Sequence, residues 1–104
     1  MSFDIEGTIG DMATAISGVV SDEWSGVEAC VKKALNDEKE ALENIAKARI
    51  DNEIDDEDLK SHLEDEKVVL EAALLACKVK AKILVQNAAN SAMDVLKEAI
   101  KVAI

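Results

Sequence analysis

The chain has 104 residues, of which 49% are hydrophobic and 33% charged, a balance too apolar for a disordered polypeptide. Its 22 acidic and 12 basic residues give a formal net charge of −10, which disfavours binding to nucleic acid or to anionic membranes. With no Pro or Tyr and only four Gly, one Trp and one Phe, the composition favours an all-α fold, which we expect to form a single domain over residues 1–104.

The first predicted helix covers residues 8–20, where apolar residues recur at helical spacing. The N-terminus before it is acidic and lacks the basic start and apolar run of an export signal, so we expect a cytoplasmic protein. All four glycines fall within the first 26 residues, and each lowers helix propensity by up to about 1 kcal/mol relative to Ala. A break is therefore expected between Gly18 and Gly26.

Trp24-Ser25-Gly26 stands at this break and resembles the Trp-x-Gly signature of small secreted helical hairpins of the WXG type. Length, low Pro content and acidity are also similar to that family. There the signature lies in the central turn and a Tyr belongs to a C-terminal export signal, whereas this chain is centred on residues 51–58 and has no Tyr. We therefore transfer no function from the family and expect Trp24 to be an aromatic wedge between two helices.

The second predicted helix covers residues 26–50 and ends in an acidic turn at 51–56. Ser25 and Glu28 have the spacing of a capping box at its start, and Asp55 or Asp56 can cap the helix that follows the turn. The alternating acids from Asp51 suggest calcium, but position six of an EF-hand loop would be Asp56 instead of Gly and position twelve His62 instead of Glu. The sequence thus predicts a solvated turn.

The third predicted helix is the longest, covering residues 56–103 without Gly or Pro, roughly 70 Å at 1.5 Å per residue. It carries two apolar stripes beside one polar stripe. A single partner helix covers one stripe, so the second is predicted to bind another copy of the chain. The expected architecture is a long antiparallel helical hairpin, with a short N-terminal, a middle and a long C-terminal helix, that forms a dimeric four-helix-type bundle. The predicted interface consists of Val68, Leu75, Val79, Ile83, Met93, Leu96 and Ile100.

The two cysteines are expected to lie close together, because residues whose numbers sum to about 107 match across the acidic turn. A disulfide between Cys30 and Cys77 is geometrically conceivable. Since no export signal precedes them, we expect two buried free thiols instead. The chain has too few Cys and His residues for a zinc site.

Three residues are the best candidates for a metal site. His62 and Glu66 share a helix face, and Glu38 interrupts the apolar stripe of the middle helix, so carboxylates and an imidazole could converge as in ferritin-like proteins. The Glu-x-x-His pair of those proteins is absent, because Leu59 stands three residues before His62. We therefore expect no metal and no cofactor.

No residues have the spacing of a catalytic group, and we expect no enzymatic activity. The predicted function is that of a structural or protein-interaction module that self-associates through its C-terminal helix, first as a homodimer, with a separate protein partner left open. Two alternatives remain: a carboxylate-rich metal-binding bundle, and a secreted or membrane-active small helical effector.

Overall fold

The computed structural model describes residues 3–104, and over that range the chain is helical with no strand. The all-α prediction is therefore confirmed. The helices are α1 (Ile5–Val20), α2 (Trp24–Ile50), α3 (Asp56–Ala76) and α4 (Lys82–Ala103), with a 3₁₀ turn at Ser21–Glu23 between α1 and α2.

Each helix runs antiparallel to its neighbours in the fold. The start of α1 is joined to the middle of α2 by the ion pair of Glu6 with Lys39, and it also lies beside the end of α4. Helix α3 packs between α2 and α4, and α1 closes the arrangement on the other side through its extensive contact with α4. The resulting body measures 39 × 23 × 19 Å and encloses one core, to which all four helices contribute. Among the fully buried side chains are Ile16, Leu42, Leu74 and Leu96.

The prediction of one continuous helix over residues 56–103 is wrong. Helix α3 ends at Ala76, and the chain turns back through residues 77–81 into α4. The turn begins with a Schellman motif: the Lys78 N–H donates to the Leu75 carbonyl at 3.0 Å and the Val79 N–H donates to the Leu74 carbonyl at 3.2 Å. Lys78 has a φ of 69°, in the left-handed region where this motif usually places Gly.

The acidic turn lies where the sequence places it, between Ile50 and Asp56. Asn52 has a φ of 63° and its N–H donates to the Arg49 carbonyl at 3.1 Å, so α2 also ends in a left-handed residue. Asp55 then caps α3 in a capping box with Asp58, whose N–H donates to Asp55 Oδ1 at 2.8 Å. Of the two residues predicted as alternative caps, Asp55 and Asp56, the structure uses Asp55.

The start of the chain differs in detail from the prediction. Helix α1 begins at Ile5 instead of residue 8, and the buried Thr8 hydroxyl donates to the Asp4 carbonyl at 2.7 Å. The break before α2 occurs at Ser21, within the predicted interval, and Trp24 packs partly buried against the core there. The predicted capping box of Ser25 is not formed, because α2 begins at Trp24, two residues before the predicted start, and has no side-chain cap.

Candidate functional site

The residues predicted to form an interface divide into two groups. Val79, Met93, Leu96 and Ile100 are between 0% and 6% exposed and belong to the core of the single chain, so their assignment to an interface between copies is wrong. The physical reason is the turn at 77–81, which folds α4 back over surface that a continuous helix would leave uncovered. By contrast, Val68 is 62% exposed, Leu75 is 54% exposed and Ile83 is 60% exposed.

The exposed group is centred on the outer face of α3, defined here as Val68, Ala72 and Leu75. Successive spacings of four and three residues place these side chains on one helix face, and all three are exposed. The opposite face carries Leu63, Leu70 and Leu74 and is buried in the core. Ile83, the remaining exposed member of the predicted interface, lies in the first turn of α4.

Charged residues of opposite sign stand before and after these apolar residues in the sequence. Before Val68 come the exposed carboxylates of Glu64 and Asp65, and after Leu75 comes the exposed lysine of the turn, Lys78. Two further exposed lysines, at positions 80 and 82, follow within four residues. Along α3 the exposed side chains therefore change from acidic at Glu64 to apolar near Ala76, about 18 Å apart at 1.5 Å per residue, and lysines follow in the turn.

The two cysteines form a disulfide, so the prediction of two free thiols is wrong. Cys30 of α2 and Cys77, the residue that ends α3, are bonded with a Cα separation of 5.7 Å. The prediction that the two cysteines lie close together, made from the matching of residues across the acidic turn, is confirmed. Cys30 is exposed and Cys77 is buried.

The structure brings together two of the three candidate metal ligands. Glu38 of α2 faces Glu66 of α3, whereas His62 is exposed. Burial, first of all, and the neighbouring carboxyl groups of Glu66 and Asp37 raise the pKa of Glu38 to about 7. Within residues 3–104 no three His, Cys, Asp or Glu side chains are grouped closely enough to hold a metal ion.

A groove of about 760 Å³ lies between α3 and α4 near the acidic turn. Its floor is apolar, with Leu59, Leu63 and Met93, and its rim carries charges of both signs, such as Lys60, Glu64, Lys67, Asp94 and Lys97. Because the rim alternates in sign, the groove selects no single class of ligand. Sequence patterns did not indicate it, since it arises from the packing of α4 on α3.

Comparison with family models, with curated proteins and with solved structures gives no match for this chain. No helix within residues 3–104 is both long enough and apolar enough to span a membrane.

Proposed function

We propose that this chain is a self-associating structural or interaction protein, and that the outer face of α3 binds a second copy in a homodimer. The exposure of Val68 and Leu75 on one face of a helix whose other face is fully buried supports this most directly. A contiguous apolar strip on a small protein commonly marks a surface that binds another protein. Four helices already fill the core of one chain, so the dimer needs no exchange of core residues.

The order of charges favours an antiparallel pair of α3 helices related by a twofold axis near Ala72. In that arrangement Val68 of one copy faces Leu75 of the other, and Asp65 faces Lys78. A parallel pair would set the acidic ends against each other and the lysines against each other. Like charges would then repel at both ends of the contact, so charge complementarity selects the antiparallel dimer.

Sedimentation velocity over a micromolar concentration series tests the proposal with a matched pair of variants. Leu75→Glu places a charge in the apolar strip, opposite Val68 of the second copy, and should raise the dimer dissociation constant about 30-fold, the effect of losing roughly 2 kcal/mol at the interface. Val102→Glu is the control, because Val102 is 59% exposed but lies near the end of α4. A folded wild-type chain that stays monomeric throughout the series would refute the proposal.

A charge exchange tests the antiparallel direction separately. Asp65→Lys and Lys78→Glu should each weaken the dimer, by up to about fivefold for each exposed ion pair, and the double variant should recover most of the loss. If the single variants weaken the dimer but the double variant weakens it further, the copies pair in another direction.

The disulfide favours one of the alternative functions, that of a secreted small helical effector. Disulfides persist mainly in oxidising compartments, so we propose that the chain works there instead of in the cytoplasm. Alkylation of unreduced protein, followed by intact mass measurement, tests this on material taken directly from its native cells. We expect no labelled thiol, and two labelled thiols would support the cytoplasmic location.

A further inference from the structure

A carboxyl group lies inside the α2–α3 contact without its normal partners. Glu38 Oε2 is buried and accepts no hydrogen bond from any residue that the structure describes. The side chain opposite is another carboxyl, that of Glu66, which is itself half-buried. Two ionised carboxylates placed together in this way repel each other, and a hydrogen bond between them requires a proton on one.

The two helices cannot easily separate to relieve this repulsion. The Cys30–Cys77 disulfide joins α2 to the end of α3, and the five-residue turn 51–55 joins them at the other end. Glu38 lies between these two connections, about 12 Å along α2 from Cys30 and about 18 Å from Ile50 at 1.5 Å per residue. The carboxyl pair is therefore held inside a closed ring of chain.

The two lysines of α2 that are nearest to Glu38 in the sequence form ion pairs with other acids. On α2 itself, Asp37 adds a further negative charge and forms an ion pair with Lys33 at 3.1 Å. Lys39, the residue after Glu38, forms an ion pair with Glu6 of α1. No lysine or arginine of residues 3–104 forms an ion pair with Glu38 or Glu66.

Several other charged residues of the neighbouring helices are exposed or line other clefts. On α3, His62 is exposed, and Glu64 and Lys67 line the groove toward α4. Asp11 of α1 lies in a cleft between α1 and α4. The charged residues of the second half of α4 line that cleft or the groove with α3: Asp94, Lys97, Glu98 and Lys101.

We propose that Glu38 and Glu66 form a proton-sharing pair, and that proton binding at this pair makes the α2–α3 contact sensitive to pH. With one proton present, the pair is joined by a hydrogen bond across the two helices. Without it, two negative charges oppose each other inside the ring. The pair thus strengthens the contact on acidification and weakens it when the pH rises.

The raised pKa fixes the sign and the range of this effect. Because the pKa of Glu38 is about 7 in the folded chain and 4.5 in its ordinary state, the folded chain binds the proton more tightly than the unfolded chain. The contribution to stability is therefore complete below the ordinary pKa and is lost as the pH rises through about 7. This direction is opposite to that of a carboxylate stabilised by a salt bridge.

Carbon-13 NMR of the glutamate side-chain carboxyls, titrated with pH on the oxidised chain, measures the pair directly. One resonance should titrate near pH 7, and its absence from Glu38→Gln assigns it. In Glu66→Gln the same resonance should titrate at a lower pH, because the repelling charge is gone and the new amide can donate to Glu38. The control is Glu43→Gln, which removes a half-buried carboxylate of α2 that forms an ion pair with Lys47.

Urea unfolding at several pH values gives a second readout. The midpoint for the wild type and for Glu43→Gln should fall between pH 5 and pH 8, and in Glu38→Gln this fall should be reduced. The proposal is overturned if no glutamate of the oxidised chain titrates above its ordinary range. It is equally overturned if Glu66→Gln, shown by circular dichroism to be folded, leaves the titration of Glu38 unchanged.

Discussion

The two turns that flank α3 end their preceding helices in the same way but are stabilised differently. At residues 51–55 the left-handed position is occupied by Asn52, a residue type that tolerates this conformation. Asp55 then caps α3, and Arg49 forms an ion pair with Asp56 at 2.8 Å. This turn is therefore stabilised by side chains of the turn itself and of the helix ends next to it.

The turn at residues 77–81 has little of this local chemistry. Its left-handed residue is Lys78, and α4 begins after Ala81 without a side-chain cap. What this turn has instead are contacts with distant parts of the chain: Cys77 is bonded to Cys30, and the Lys80 N–H donates to Glu23 Oε1 at 3.4 Å. The comparison indicates that a long-range covalent bond substitutes here for weak local turn chemistry.

Removing the covalent bond should therefore have the largest effect and should act mainly on the second turn. Cys30→Ser with Cys77→Ser opens a loop with a sequence separation of 47 residues, and we expect a loss of about 4 kcal/mol in the free energy of unfolding from the chain-entropy relation. Urea unfolding measures the loss. In the variant that lacks both cysteines, the backbone amides of residues 77–81 should exchange with solvent faster than those of residues 51–55. Equal protection of both turns would contradict the comparison.

The same contrast explains which turn the sequence could predict. The acidic turn is dense in Asp and Asn, whose side chains favour turns and caps, so its position and the role of Asp55 follow from the sequence. The second turn contains neither Gly nor Pro, and its helical spacing continues on both sides. It forms because folding α4 back buries Val85, Leu96 and Ile100, a tertiary gain that exceeds the local preference of Lys78.

The candidate sites were predictable to a similar extent. The proximity of Cys30 and Cys77 follows from antiparallel matching, but the oxidation state of the pair depends on the compartment, which spacing does not report. Glu38 stands out in the sequence as a charge within an apolar stripe. That it faces Glu66, and that His62 is exposed, depends on the rotation of each helix about its axis, which only packing determines.

A core substitution tests how strongly the second turn depends on burial. The Leu74 carbonyl accepts a hydrogen bond from the Val79 N–H in the Schellman motif. The side chains of Leu74 and Val79 are both buried. Leu74→Ala should lower stability by about 3 kcal/mol, since the enclosed site cannot collapse. Leu63→Ala, in the floor of the groove near the first turn, should cost less, about 2 kcal/mol. Urea unfolding of both variants checks the order, and a larger loss for Leu63→Ala would contradict it.

A cap substitution tests the first turn. Asp55→Ala removes the oxygen that accepts from the Asp58 N–H and should lower stability by about 1 kcal/mol. Asp51→Ala is a suitable control, because Asp51 is an exposed acid of the same turn for which the structure describes no side-chain hydrogen bond. Thermal unfolding compares the two variants. Equal losses would mean that general acidity, and not the cap, stabilises the turn.

The smallest expected effect is a gain, and it would bring the second turn closer to the first. Lys78→Gly places the residue best suited to a φ of 69° at the end of α3 and should raise stability by roughly 0.5 to 1 kcal/mol. Lys78→Ala removes the same charge but keeps a β-carbon, so it should show no such gain. Because the disulfide already holds this turn, the gain from Gly should be larger in the background lacking both cysteines, where local conformation alone must stop the helix. Urea unfolding of the four resulting chains measures that coupling, and an equal gain in both backgrounds would show that the disulfide and the left-handed residue act independently.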